Sequence, residues 1–589
     1  MLKLFKQLKK REWGLTVLSV IFIVFQVWLD LKLPDYMSEI TVLVQTEGSQ
    51  MSEILSAGGW MILCALGSLV SSCIVGFFAA KIAASLSHTV RKNLYDKTLS
   101  FSMAEINQFS TASLITRSTN DISQIQMIVA MGLQAIIKAP ITAVWAVMKI
   151  MGKGWQWTAA TAAAVLLLVL MISIIIIFAM PRFKKVQKLT DNLNRITREN
   201  LTGIRVVRAY NAESYQEKKF EKANRELTNT NMFINRVMAI MNGGMSFIMS
   251  MLTLAIYIIG AWLINNAAGS DGLVLFSDMV VFSNYAIQVI MAFMMVSMIF
   301  IMLPRASVSA GRINEVLDTE LTLQPGGSTK GTTGLKGEVE LRNVSFKYPG
   351  AEEYVLEDIN VKINKGETVA FIGATGSGKS TLVNLIPRFY DVTEGEILVD
   401  GVNVQEYDTE ALNDKLGYVS QRAVLFSGTV RSNVAYGEQE GKTPGTEQVR
   451  KAIRIAQAQE FVKQMDGNVE GHIAQGGSNV SGGQKQRLSV ARAVCRDPEI
   501  YIFDDTFSAL DYKTDKVLRK TLEQETEDAT VIMVAQRIGT IRNADKIIVL
   551  DQGKMVGSGT HDELMNNCDI YREIALSQLP KEELGYVEK

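Results

Sequence analysis

Residues 367–382 read ETVAFIGATGSGKSTL, and this stretch decides the fold of the second half of the chain. An apolar β-type run enters Gly373-Ala374-Thr375-Gly376-Ser377-Gly378-Lys379-Ser380, followed by Thr381, where a helix begins. The spacing is GxxxxGK[ST] at a strand-to-helix junction. Gly373, Gly376 and Gly378 let backbone N–H groups wrap phosphate oxygens, and the helix N-terminus adds positive potential. Lys379 is placed to reach the β- and γ-phosphates of ATP, and the Ser380 hydroxyl to ligate Mg²⁺. A plain Gly-rich turn would need neither the lysine nor the strand and helix.

Downstream, EIYIFDDTFSALD (499–511) is an apolar strand ending in two aspartates. Asp504 is the natural second magnesium anchor once paired with the phosphate loop. From about residue 336 short β-rich runs alternate with helical patterns, which predicts an α/β nucleotide fold. Just before it, 321–335 is polar and Gly-rich and reads as a linker.

The first half is of another kind. The chain of 589 residues is 48% hydrophobic, high for a water-soluble protein. A bilayer core of roughly 30 Å needs about 20 apolar residues in a helix, and six segments qualify: 15–33, 58–83, 128–150, 156–180, 238–264 and 279–303. Residues 1–14 form a basic lead-in expected at the membrane surface. The apolar run behind them is too long for a secretory signal and has no small-residue cleavage site. Lys92, Lys97 and Arg117 lie in one long connection, and PRFKKVQK and IRVVRAY in another. Residues 33–53 carry acids and no base. Positive charge marks the cytoplasmic side, which predicts both termini and the two basic connections inside. The turn KIMGKGWQW puts lysines on the opposite side, against that trend.

Lys+Arg and Asp+Glu are both 60, so nothing suggests a nucleic-acid binder. Four cysteines form no CxxC pair and read as structural thiols. The spans contain few charges. The fifth and sixth are rich in methionine: Met238, Met241, Met245, Met249 and Met251, then Met291, Met294, Met295, Met298 and Met302. Such residues suit varied apolar ligands, and ordinary helix packing accounts for them as well.

Ahead of Asp504 comes VSGGQKQRLSVARAV (480–494). Its Ser481-Gly482-Gly483-Gln484 resembles the signature motif of ATP-binding cassette (ABC) transporters, and other expected parts fall in order. Tyr348 in VSFKYPG is similar to the aromatic that stacks on adenine in that family, with a core aromatic as the bland alternative. Gln421 in LGYVSQRAVLFSGTV is similar to the glutamine that touches magnesium, with a surface turn as its alternative. Ser508-Ala509-Leu510-Asp511 resembles the loop that crosses the dimer interface. His561 matches a common C-terminal stretch, where capping or surface packing outweighs chemistry. Six spans fused to one nucleotide domain resemble exporter half-transporters. The resemblance implies a six-helix transmembrane domain over 15–320, an ABC ATP-binding domain over 336–575 and a tail over 576–589. It also implies coupling helices near Ala104–Ser113 and Asn200–Ala209.

The chain departs from the family pattern at two positions. Asp505 stands where a catalytic glutamate is usual, and Gln536 where a histidine usually contacts the γ-phosphate. VSGGQ replaces LSGGQ, and Gln475 stands where many exporters have glutamate. One methylene withdraws a carboxylate by about 1 Å, and such misplacement costs roughly 10²-fold in rate. The resemblance therefore implies an own site that binds ATP and Mg²⁺ but hydrolyses weakly. The signature and Asp511 remain intact for a partner's site. The expectation is a subunit of a heterodimeric exporter in a plasma or inner membrane. It would contact membrane lipid, bind no nucleic acid and move small apolar or amphipathic compounds of multidrug type. A slow homodimeric exporter and an ATP-gated channel stand as alternatives.

Overall fold

The computed structural model describes residues 2–46, 48–151, 154–266, 271–332, 334–437 and 443–579. The chain divides into two units, one of residues 1–99 and 112–319, the other of residues 100–111 and 320 onward.

The first unit is helical. Six described helices are long and apolar enough to cross a membrane: Lys10–Gln45, Met51–Leu99, Thr111–Met151, Trp155–Thr202, Glu213–Asn265 and a window over Val274–Val296. The last lies in the helix Asp271–Asp318. At 1.5 Å per residue the fifth, of 53 residues, is about 80 Å long, more than twice a bilayer core. Span and polar extension are thus one continuous rod. The core packs Ile23, Val27 and Leu31 against Trp157, Leu168, Phe282, Tyr285 and Val289. Trp157 donates its indole N–H to the Ile256 carbonyl at 3.1 Å.

One expectation is corrected here. Residues 33–45 begin the acidic stretch expected as the outer loop behind the first span, yet the first helix continues to Gln45 with Pro34 inside it. The turn after the proline is pinned from neighbouring helices, because Asp35 pairs with Lys149 at 2.7 Å and accepts from the Tyr285 hydroxyl at 2.5 Å. Those contacts offset the hydrogen bond that proline forfeits. Lys153, in the short turn behind the third helix, lies outside the described residues, as do the side chain of Met298 and most of the tail.

The second unit holds three sheets. Strands β1 (Val339–Phe346), β2 (Leu356–Ile363), β4 (Glu394–Val399) and β5 (Val402–Asn403) form an antiparallel sheet in the order β2-β1-β4-β5. The larger sheet contains β3 (Thr368–Gly373), β6 (Leu416–Val419), β9 (Ile500–Asp504), β10 (Thr530–Val534), β11 (Lys546–Asp551) and β12 (Lys554–Gly559), ordered β12-β11-β3-β10-β9-β6. Only β12 is antiparallel there. The short pair β7 (Gly428–Thr429) and β8 (His472–Ile473) completes the set. The central strands β9 and β10 are buried throughout, which is why their sequences are apolar without alternation. One core fills the space between the two larger sheets, and a second lies under the helical side around Leu488, Phe461 and Val449.

Candidate nucleotide site

β3, β10 and β9 are neighbours and parallel, so their carboxyl ends open on one crevice, where ligands of such sheets bind. The phosphate loop leaves β3 there, Asp504 ends β9, and Gln536 follows β10. Strand order alone gathers residues more than 150 positions apart.

Gly376 and Gly378 take φ of 88° and 93°, left-handed values that favour glycine. A Cβ at Gly378 would also meet Val355 O at 3.0 Å. The Lys379 ammonium is buried and donates to the carbonyls of Gly373 and Ala374 at 2.9 and 2.7 Å, and to Ser377 Oγ at 3.2 Å. Burial lowers its pKa, opposed by the charges of Asp505 and Asp504. A phosphate placed in the loop would replace those carbonyls with a full counter-charge. Ser380 Oγ donates to Asp504 Oδ1 at 2.7 Å. Burial is also the main cause raising the Asp504 pKa, opposed by Ser380. Two hard oxygen donors side by side suit Mg²⁺, so the residues present fit that ion.

Asp505 is buried, with φ of 46°. Its Oδ2 accepts from Gln536 Nε2 at 2.8 Å and Gln421 Nε2 at 3.3 Å. The two family departures therefore touch each other, with two amides on one oxygen of the carboxylate.

Tyr348 sits in an aromatic cluster. Its ring centroid is 5.0 Å from Phe346 and 5.4 Å from Tyr390, both edge-on, and its hydroxyl is 3.0 Å from Thr381 Oγ1. A cavity of about 250 Å³ beside it is lined by Lys347, Pro349, Asp391, Thr393 and also Ser102 and Ala104. The short helix Met103–Phe109 thus packs in this unit, where Asn107 Nδ2 donates to the Tyr390 hydroxyl at 3.1 Å and Glu105 accepts from Thr322 N at 2.8 Å. Sequence reading placed a coupling helix here but missed Tyr390 and Asn107. The signal was the RFY run behind the phosphate-loop helix. The second expected connection holds the helix Ile204–Ala209.

The signature residues lie elsewhere on the unit. Ser481 caps the helix Gly482–Cys495, its Oγ accepting from Gln484 N at 3.4 Å while Gln484 Oε1 accepts from Ser481 N at 2.9 Å. Ser481 and Gly482 are exposed, and among the described residues no hydrogen bond joins the motif to the Lys379 loop. Asp511 caps a helix through one oxygen, accepting from Thr514 N at 3.0 Å, the bond that lowers its pKa. His561 is not a surface residue: it is buried, with Nδ1 2.7 Å from the Tyr571 hydroxyl. All four cysteines are free thiols.

Residues 16–293 match the ABC transporter transmembrane region and residues 356–508 the ABC transporter domain. An uncharacterized ABC transporter ATP-binding protein of Mycobacterium tuberculosis is 39% identical over 89% of this chain and 88% of its own length. The chain belongs to the ABC transporter family. An ATP-dependent lipid A-core flippase of Pseudomonas fluorescens is 31% identical over 87% of this chain and 84% of its own. In fold, the chain is similar to a bacterial Atm1-family ABC exporter solved with ATP bound, with a TM-score of 0.80 at 23% identity, covering 96% of this chain and 98% of that one. This ABC protein is an exporter half-transporter, a six-span helical domain fused to an ATPase domain that binds ATP.

Proposed function

We propose that this half-transporter works with a different half-transporter as an asymmetric exporter of apolar or amphipathic compounds. The observation that carries the reading is the Asp505 carboxylate, one oxygen of which is held by both Gln536 and Gln421. A general base must present its lone pair to water within hydrogen-bond reach, and here two amides compete for one of its two oxygens, on a side chain one methylene short. ATP bound by Lys379, Ser380, Thr381 and the phosphate loop, with adenine on Tyr348, holds the own site closed. Magnesium, held there by Ser380 and Asp504 with Gln421 nearby, would neutralise phosphate charge. The exposed Ser481–Gln484 helix start and Asp511 complete the partner's site, where hydrolysis resets the machine. The helix Met103–Phe109, beside Tyr390, passes nucleotide state to the spans. We further infer that the ATPase domain and both termini are cytoplasmic, and that its bounds are near 336 and 575.

The flippase similarity favours a lipid-like cargo, and the methionines of the fifth and sixth spans suit several apolar cargoes. Native mass spectrometry of the tagged chain, extracted gently from its own host, tests the asymmetry. A stoichiometric second half-transporter with Glu and His at the two positions is the expected result. A homodimer with robust ATPase activity would overturn it.

A further inference from the structure

The helical unit contains charges that the nucleotide site does not use. Asp30 on the first span helix lies 3.1 Å from Lys138 on the third, and it also accepts from Ser68 on the second. Five residues on, Asp35 pairs with Lys149 and with the Tyr285 hydroxyl on the sixth. Gln288, near Tyr285, donates Nε2 to the Asp30 carbonyl at 3.5 Å, while its Oε1 is buried without a partner. Lys138 precedes the end of its helix at Met151 by 13 residues, about 20 Å of helix. That depth is well inside an apolar span.

Ionised side chains at such depth are costly and mark ligand or ion pathways. The two pairs are alike in their direct partners, an ammonium and a hydroxyl on each carboxylate. Asp35 is engaged by an ammonium and a hydroxyl, and it anchors the helix beyond Pro34. The Asp30 and Lys138 side chains are 28% and 23% exposed, much as Asp35 and Lys149 are at 28% and 34%, and among the described residues Lys138 has one ion-pair partner for three N–H donors. What sets the Asp30–Lys138 pair apart is the unpartnered acceptor of Gln288 beside it.

We propose that Asp30, Lys138 and Gln288 bind a zwitterionic headgroup, an ammonium joined to a phosphate or carboxylate, carried by an exported amphiphile. The ligand ammonium sits between Asp30 and Gln288 Oε1, and its anion on Lys138. The pair is neutral, so a neutral zwitterion exchanges one ion pair for two and strands no charge. A singly charged ligand would leave either Asp30 or Lys138 uncompensated in a medium of low dielectric. The inference rests on the export reading and names its substrate class.

The test titrates the full transporter, purified from its host membrane, with short-chain phosphatidylethanolamine below its micellar concentration. Its N-acetylated analogue, which keeps the phosphate and loses the ammonium, is titrated in parallel. Acetylation is expected to weaken binding about tenfold or more, as are D30N and K138Q for the parent lipid. The acetylation comparison leaves the protein untouched, so it stands even if a variant fails to fold. Free glycerophosphoethanolamine, whose phosphodiester keeps the headgroup neutral, binding as tightly as the lipid keeps the site and makes a soluble zwitterion the source; much weaker binding makes it a lipid. Equal affinity for the lipid and its acetylated form overturns the inference. ATP-driven accumulation of an apolar dye in inverted vesicles is followed alongside. Dye transport without headgroup discrimination defeats the inference alone, whereas no ATP-driven movement of any compound defeats the export reading.

Discussion

Replacing Asp505 by asparagine keeps the shape of the side chain and removes its charge. If Asp505 were the working base, the loss would be of the order of 10²–10⁴ in turnover. The structure argues for far less. Asp505 Oδ2 already accepts from Gln536 at 2.8 Å and from Gln421 at 3.3 Å. A hydrogen bond to a charged group contributes about 1.5–3 kcal/mol. Turning that oxygen to water therefore costs roughly tenfold to 150-fold, and the short side chain adds roughly 10²-fold for misplacement whichever oxygen is used. A site so handicapped contributes little to the turnover of an assembled transporter. Phosphate release from the purified complex in liposomes is expected to change by less than about threefold in Asp505→Asn. ATP photolabelling of this chain should persist, since Lys379 and Ser380 are untouched. A fall of about a hundredfold with photolabelling intact would refute the reasoning and make Asp505 the base.

Lys379→Ala removes the ammonium from the phosphate loop and should abolish photolabelling of this chain, with turnover falling severalfold as the sandwich loses one nucleotide. Ser481→Ala deletes a helix cap worth about 1 kcal/mol; a turnover loss above tenfold, with only a few degrees in thermal midpoint, would mark its use in a second site. Tyr390→Phe removes the hydroxyl that Asn107 holds; ATP affinity should stay within about threefold while substrate-stimulated turnover drops. His561 has its pKa lowered, first by burial and then by Arg542. The unfolded chain therefore binds the extra proton. Stability of the ATPase domain should be fully present above the ordinary histidine value of about 6.5 and decline below it, by at most about 1.4 kcal/mol per pH unit. Thermal unfolding of His561→Gln should lose that slope.

Much of the nucleotide site was legible because its chemistry is local. A phosphate loop needs glycines, a lysine and a hydroxyl in one short run, and a capped helix start needs Ser481 and Gln484 three residues apart. The spans were legible because lipid demands long apolar runs. The extension of the first helix past Leu33 was not, because the contacts that hold it, from Lys149 and Tyr285 to Asp35, come from other helices.

The sequence by itself determined two domains, six spans, an ATP loop and the two substitutions at Asp505 and Gln536. These follow from residue types at fixed short spacing. Only the tertiary structure decided that Gln536 and Gln421 meet on one Asp505 oxygen, that Asn107 reaches Tyr390, and that Asp30, Lys138 and Gln288 gather from three helices. Each joins residues tens to hundreds of positions apart, through strand order in one unit and helix rotation in the other. Neither leaves a periodic mark on the chain.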